Sequence, residues 1–329
     1  MCFPKLLAYP IRANGPAGAL LLFALWSLPV TATGESMHSS ILPRGTLIYT
    51  TNNEGVIEFD LESRTSVRLI EWSASAYAPY GSLAVVDERR LLVDTSRMGP
   101  PSRIVVIDRD TSAAYDRHAG YHPTFLAGSD SYVFFRTSTE TGPRLFLADL
   151  IDDHDVQEVV PALGRLPSYN NVVQVGLHQI VLQAGSGVGQ AIAPWLVNLA
   201  TNQAARLPFA RRCTPYAWRT ITHQLLCGID GTDEHYFVGL DGRDYQELKL
   251  PPHASPLVYI EEYNALLVQL TRGAWWRGFP VETWHVAAVS LTDGRQEILI
   301  RDEPLTRGQI VWIPQGRISN GKAGNTSAH

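Results

Sequence analysis

GSLAVVDERRLLVDTSRMGPPSRIVVIDRDTSAA, Gly81 to Ala114, is a series of short apolar runs cut by polar turns. GSLAVVD (Gly81 to Asp87), RLLVDTS (Arg90 to Ser96) and RIVVIDR (Arg103 to Arg109) alternate in polarity and are rich in β-branched residues, and a weaker run lies near Ala114. That texture is strand, with no helical period. Tight links between four such runs make one antiparallel sheet, with Gly81 to Asp87 as its inner strand.

The unit recurs along the chain. The turns leading to its last strand read FDLESRTS (Phe59 to Ser66), IDRDTSAA (Ile107 to Ala114), ADLIDDHD (Ala148 to Asp155), VNLATNQA (Val197 to Ala204), VGLDGRDY (Val238 to Tyr245) and VSLTDGRQ (Val289 to Gln296). Anchored on Asp60, Asp108, Asp149, Asn198, Gly239 and Ser290, the steps are 48, 41, 49, 41 and 51 residues. A period in this range, with several short strands per unit, marks a β-propeller blade. The sixth unit repeats the full scheme with LVYIE, ALLVQL, HVAAVSL and QEILIR.

The first unit is one strand short. TLIYTT, VIEFDLE and SVRLIEW supply its second, third and fourth strands, and nothing precedes them. The missing inner strand stands at the other end of the chain as GQIVWIP (Gly308 to Pro314). A C-terminal strand that completes the first blade closes the ring and removes an open sheet edge. The expected fold is therefore an all-β, six-bladed β-propeller over residues 45–314. Two packed β-sandwiches would explain neither the period nor the leftover strand.

The D-L-x-x-x-T turn (Asp60 to Thr65), the L-x-D-G-R turn (Leu291 to Arg295) and the prolines before the inner strands (Pro79, Pro123, Pro215 and Pro256) resemble the broad superfamily of bacterial TolB-type and WD-repeat-type propellers. The resemblance spans nearly all of the chain after its leader and rests on repeat form. It implies the fold. It implies no single activity, because binding scaffolds, hydrolases, lyases and lactonases share that architecture.

Residues 1–34 read as an address. Lys5 and Arg12 precede an uncharged apolar run, Ala17 to Leu28, followed by Pro29 and the small residues Thr31, Ala32, Thr33 and Gly34. That is the order of a secretory signal peptide, with a run short for a bilayer span. An uncleaved anchor is the alternative. Residues 35–44 then form a linker, residues 315–329 a disordered polar tail, and the expected location is periplasmic or secreted. Without the leader, 25 basic residues face 32 acidic ones, a balance of −7, which argues against a nucleic-acid partner.

Loop lengths select a working face. Links between second and third strands are long: Thr95 to Ser102, Thr137 to Pro143, Ala184 to Pro194, Asp230 to His235 and Thr271 to Thr283. They share one face with the approaches to the inner strands, and long loops on a rigid scaffold are where binding concentrates. The sixth-blade loop carries Trp275, Trp276, Phe279 and Trp284 beside Arg272 and Arg277. Trp and Arg are favoured at binding hot spots, with Trp276 and Phe279 as the exposed pair, although Trp275 and Trp284 could instead cap their own blade. His122, Asn170, Tyr216 and Arg219 are placed at the channel mouth by the inner-strand approaches.

Cofactor and metal signals are absent. Asp230 to His235 lacks calcium-loop spacing and reads as an acidic turn, and Gly185 to Gly189 lacks the lysine and helix of a phosphate loop. No catalytic motif stands out, and a triad is recognised by geometry rather than sequence order. Cys213 and Cys227 suit a disulfide by count. A turn at Thr222 and His223, however, would set Cys227 opposite Trp218, roughly 16 Å from Cys213, so their pairing stays open. The leading expectation is an exported scaffold that binds a protein or glycan partner on the long-loop face. The rival is a hydrolase, lactonase or lyase acting on a carbohydrate or ester at the channel mouth.

Overall fold

The structure, a computed structural model, describes residues 40–42, 44–51, 55–71, 80–95, 102–138, 142–152, 155–159, 163, 166, 171–185, 192–229, 232–276, 279–305 and 308–315, the side chains of 80, 138 and 274–282 excepted. Six four-stranded antiparallel sheets form the blades of a ring. Blade 2 holds β4 (Tyr80–Val85), β5 (Arg90–Thr95), β6 (Arg103–Asp108) and β7 (Ala113–Ala119). Blade 3 holds β8 (Tyr121–Phe125), β9 (Ser131–Ser138), β10 (Gly142–Asp149) and β11 (Val156–Glu158). Blade 4 holds β12 (Val173–Gly176), β13 (Gln179–Ala184), β14 (Ala193–Asn198) and β15 (Gln203–Arg206). Blade 5 holds β16 (Thr214–Arg219), β17 (Gln224–Gly228), β18 (His235–Gly239) and β19 (Gln246–Leu248), and blade 6 holds β20 (Ala254–Ile260), β21 (Ala265–Trp276), β22 (Phe279–Ser290) and β23 (Gln296–Arg301).

Blade 1 is shared between the chain ends. β1 (Thr46–Thr51), β2 (Gly55–Asp60) and β3 (Ser66–Glu71) take β24 (Ile310–Ile313) as their inner strand. β24 runs antiparallel to β1, with Thr46 opposite Ile313 and Tyr49 opposite Ile310. The six-bladed ring and its closure by the C-terminal strand are thus as the sequence indicates.

Apolar side chains of adjacent sheets interlock into six buried clusters, one at each contact between neighbouring blades. Leu47, Ile57, Leu257 and Leu267 join blades 6 and 1, while Leu92, Ile104, Phe134 and Ala148 join blades 2 and 3. Ile41 and Leu42 are buried in the first of these clusters. Glu297 holds that segment by accepting from Ser40 Oγ at 2.7 Å and Ile41 N at 2.9 Å.

The repeat has a physical basis in its turns. Asp60 Oδ1 accepts the Ser63 N–H at 2.6 Å, Asp149 Oδ1 the Ile151 N–H at 2.7 Å, and Asn198 Oδ1 the Ala200 N–H at 3.0 Å. Each Asx side chain replaces a missing backbone partner in the turn. In blades 5 and 6 the acceptor moves along to Asp241 and Asp293, followed by Gly242 (φ 78°) and Gly294 (φ 73°). The anchor residues mark the period because the turns require them.

A second repeat lies inside the sheets. At the fifth position of the second strand, Thr50, Asp94, Gln183 and Gln269 are all buried. Each reaches the approach to the next blade's inner strand. Thr50 Oγ1 donates to Gly81 O (2.7 Å), Gln183 Nε2 to Cys213 O (3.2 Å), and Leu305 N donates to Gln269 Oε1 (2.7 Å). Asp94 Oδ2 accepts the His122 N–H at 2.6 Å. These latches tie one blade to the next at the long-loop face.

Candidate functional site

The recurrent prolines decide what reaches the channel. Proline has no N–H for the ladder and is confined to edges and bulges. Bulges interrupt β8 between Tyr121 and Thr124, β16 between Pro215 and Ala217, and β20 between Pro256 and Val258. A comparable bulge sits in β4 between Tyr80 and Leu83, just after Pro79. Ser82, His122, Tyr216 and Leu257 fall in these bulges, and all four line a central cavity of about 360 Å³. A bulge re-aims side chains that a regular pleat would send elsewhere.

Ser82 and His122 meet across the contact between blades 2 and 3, with Ser82 Oγ hydrogen-bonded to His122 Nδ1. Asp94 lies behind them, 1% exposed. Its Oδ2 takes the His122 backbone N–H and stands 3.9 Å from the imidazole Nδ1, while Oδ1 takes no hydrogen bond. Burial pushes the Asp94 carboxyl up to about 7, against the opposing pull of the His122, Ser82 and Gly81 N–H groups. Burial also holds the His122 imidazole down, at about 4. His122 has φ 51° directly before Pro123, where the ring disfavours anything but extended backbone. Such local strain, on the order of 1–3 kcal/mol, gathers at functional sites.

A second cavity, about 350 Å³, opens between blades 5 and 6 and is lined by Tyr216, Thr232, Asp233, His235, His253, Ser255 and Thr271 among others. Tyr216 borders both spaces, so channel and cleft meet at its ring. A larger hollow of about 570 Å³ lies against β14 and β15 at the rim of blade 4, lined by Trp195, Asn198, Gln203 and their neighbours. Its described lining residues include no titratable group.

Several expected positions move. The stretch Thr271 to Thr283 is not a loop: β21 and β22 pair without a break from Ala265–Ser290 to Trp276–Phe279, leaving only Arg277 and Gly278 between them. Their neighbours stop earlier, β20 at Leu270 and β23 at His285. A two-stranded ribbon of six residue pairs therefore runs on past its sheet, roughly 20 Å at strand rise. The physical reason is the strand-forming Trp, Phe, Val and Thr residues on both sides. Arg272 is exposed on this ribbon and Trp284 half-buried at its base. The side chains of Trp275, Trp276 and Phe279, and all of Arg277 and Asn170, lie outside the described residues.

Arg219 is also displaced. It closes β16 opposite Gln224, at the short-turn end, where Nη2 donates to Asn264 Oδ1 at 3.1 Å and the guanidinium lies 5.1 Å from the Phe237 ring centre. Six residues of strand carry it across the ring, away from the mouth. Cys213 and Cys227 form a disulfide with Cα atoms 5.0 Å apart. Two features defeat the simple register: the turn spans 220–223, and the Tyr216 bulge brings Cys227 opposite Pro215. Asp94 and Ser82 were not singled out in the sequence. The available signal was a lone carboxylate in RLLVD, aligned with Thr50 in TLIYT, Gln183 in QIVLQ and Gln269 in ALLVQ. No group of three or more potential metal ligands occurs among the described residues.

No protein-family model and no curated protein matches the sequence. Solved structures do match. TolB from Acinetobacter baumannii superposes with TM-score 0.61 at 12% identity, over 82% of this chain and 67% of that one. A propeller chain in a nidogen/laminin complex gives 0.52 at 11% identity, over 79% and 93%. Oligogalacturonate lyase in complex with manganese gives 0.51 at 12% identity, over 79% and 74%. At these identities the likeness establishes the six-bladed propeller fold and leaves function to the site.

Proposed function

We propose that this propeller is an exported binding scaffold that captures a protein or glycan partner on its long-loop face. The blade 6 ribbon is the observation that carries the reading. It extends past both flanking strands, whose last backbone bonds to it are Thr271 N–H to His253 O and Asp302 N–H to Trp284 O, and it borders the cleft through Thr271. Exposed strand edges are surfaces on which an extended segment can pair. The cleft adds hydroxyl groups, imidazoles and the Tyr216 ring, a set suited to hydrogen bonding and stacking. One structural neighbour is itself part of a protein–protein complex. The disulfide supports an oxidising compartment. Among the described residues no helix is long and apolar enough to cross a membrane.

The expected anchors are Trp276 and Phe279, with Trp275, Trp284, Arg272 and Arg277 around them. Trp276→Ala combined with Phe279→Ala abolishes partner capture in pull-downs against envelope proteins and immobilised glycans while the melting temperature holds. Unchanged capture by the double variant would remove the ribbon from the binding site.

A further inference from the structure

The latch position is neutral in blades 1, 4 and 6, where Thr50, Gln183 and Gln269 do the tying. Only in blade 2 is it a carboxylate, and only there does it stand behind two side chains with acid–base chemistry facing the cavity. A glutamine or threonine would meet the structural need without leaving a buried oxygen unpartnered. Together with the strained backbone of His122 before Pro123, this singles out the corner.

We infer that Ser82 and His122 are a nucleophile and base that hydrolyse small neutral carboxylic esters at the channel mouth, with Asp94 as the positioning residue. Activated nucleophiles share one arrangement: the hydroxyl bonded to the base, and the base oriented by a third group. Here the orientation is imposed through the main chain, since Asp94 bonds the His122 N–H and not the ring. With the ring proton on Nε2, Nδ1 accepts from Ser82 Oγ. The cavity supports the substrate class. None of its described lining residues carries a charge; Ala84, Phe125, Val172 and Leu257 form an apolar throat, and Asn171 and Tyr216 supply polar groups. A short acyl chain fits the throat and a hydroxylated alcohol the rim.

The chemistry balances with water alone. Ser82 Oγ bonds to the ester carbonyl carbon as its proton passes to His122 Nδ1. The acyl–alkoxy bond breaks, and the alcohol leaves with that proton. Water then adds to the acyl-serine, giving one proton to His122. The bond to Oγ breaks, the carboxylic acid departs, and Ser82 recovers its proton. The cavity shares Tyr216 with the cleft beside the ribbon, but the reacting groups Ser82, His122 and Asp94 lie on blades 2 and 3 and need nothing from the ribbon.

Fluorophosphonate labelling of the purified full chain, located by peptide mass spectrometry, tests the assignment alongside p-nitrophenyl butyrate hydrolysis. A single adduct on Ser82 is expected, lost in Ser82→Ala. His122→Gly slows labelling at least 100-fold, in the range of general base catalysis, yet keeps the melting temperature because glycine accepts φ 51° without penalty. His122→Gln slows it similarly. Asp94→Asn retains most labelling because its amide oxygen still accepts the His122 N–H, and Asp94→Ala does not. No adduct on Ser82 when a serine esterase control labels, or wild-type rates in both His122 variants, would overturn the proposal.

Discussion

The corners at Asp94 and Gln183 occupy the same place in two blades and do the same mechanical work. Gln183 donates to Cys213 O at 3.2 Å and to Thr214 Oγ1 at 3.0 Å, and so ties blade 4 to blade 5 with a neutral amide. Asp94 ties blade 2 to blade 3 through one bond to the His122 N–H and leaves Oδ1 unmet. Burying a carboxylate costs far more than burying an amide with matched partners. The comparison separates what the ring needs from what the site needs. A latch is structural; an ionisable latch behind a serine and a histidine is an addition to it.

Titration should break the symmetry most strongly. Asp94 has a raised folded value, so its contribution to stability is present at low pH and is lost as pH rises toward 7, by up to ~4 kcal/mol. His122 has a lowered folded value, so its contribution is present above about 6.5 and is lost as pH falls toward 4. The pair together holds one proton across that window, wherever it sits, and the two slopes oppose each other. Asp94→Asn exposes the histidine slope, with stability rising from pH 4 to 6.5. His122→Gln exposes the opposite slope, falling toward pH 7. Chemical denaturation at several pH values reads both, and parallel profiles for the two variants would mean the groups are not buried together.

Blade 5 sharpens the comparison because its fifth position is Gly228, and the disulfide one residue earlier fastens the strand. The closed segment has a sequence separation of 14. Replacing both cysteines with alanine is expected to cost ~3 kcal/mol, measured as a shift in denaturation midpoint that added reductant does not enlarge. Gln183→Ala comes next, at ~1–2 kcal/mol for two buried hydrogen bonds. It should show no dependence on pH between 4 and 8, unlike any change at Asp94.

Most of the fold was legible. Asx and Asp-Gly turns repeat because each closes a turn with its own side chain, and the orphan strand after residue 307 could belong only to the incomplete first unit. The site was harder to read because bulges leave no spacing signal. Pro215 and Pro256 were visible, but that they turn Tyr216 and Leu257 inward was not. The same bulge hid the approach of Cys213 to Cys227. Arg219 stands at the far end of β16 from Thr214, and Gly273 and Pro280 break the strand pattern of Thr271 to Thr283 although both pair within the ribbon. Asp94 looked like one more strand residue until its neighbours in space were known.

On the proposed reading, the long-loop face and not the short-turn face meets the partner. A photo-crosslinking amino acid placed at Arg272 on the ribbon, and in a second variant at the exposed Arg243 on the short-turn side, tests it directly in envelope extracts of the native host. A discrete partner adduct from position 272 and none from 243 is the expected result. Adducts from 243 alone, or none from 272, would contradict it.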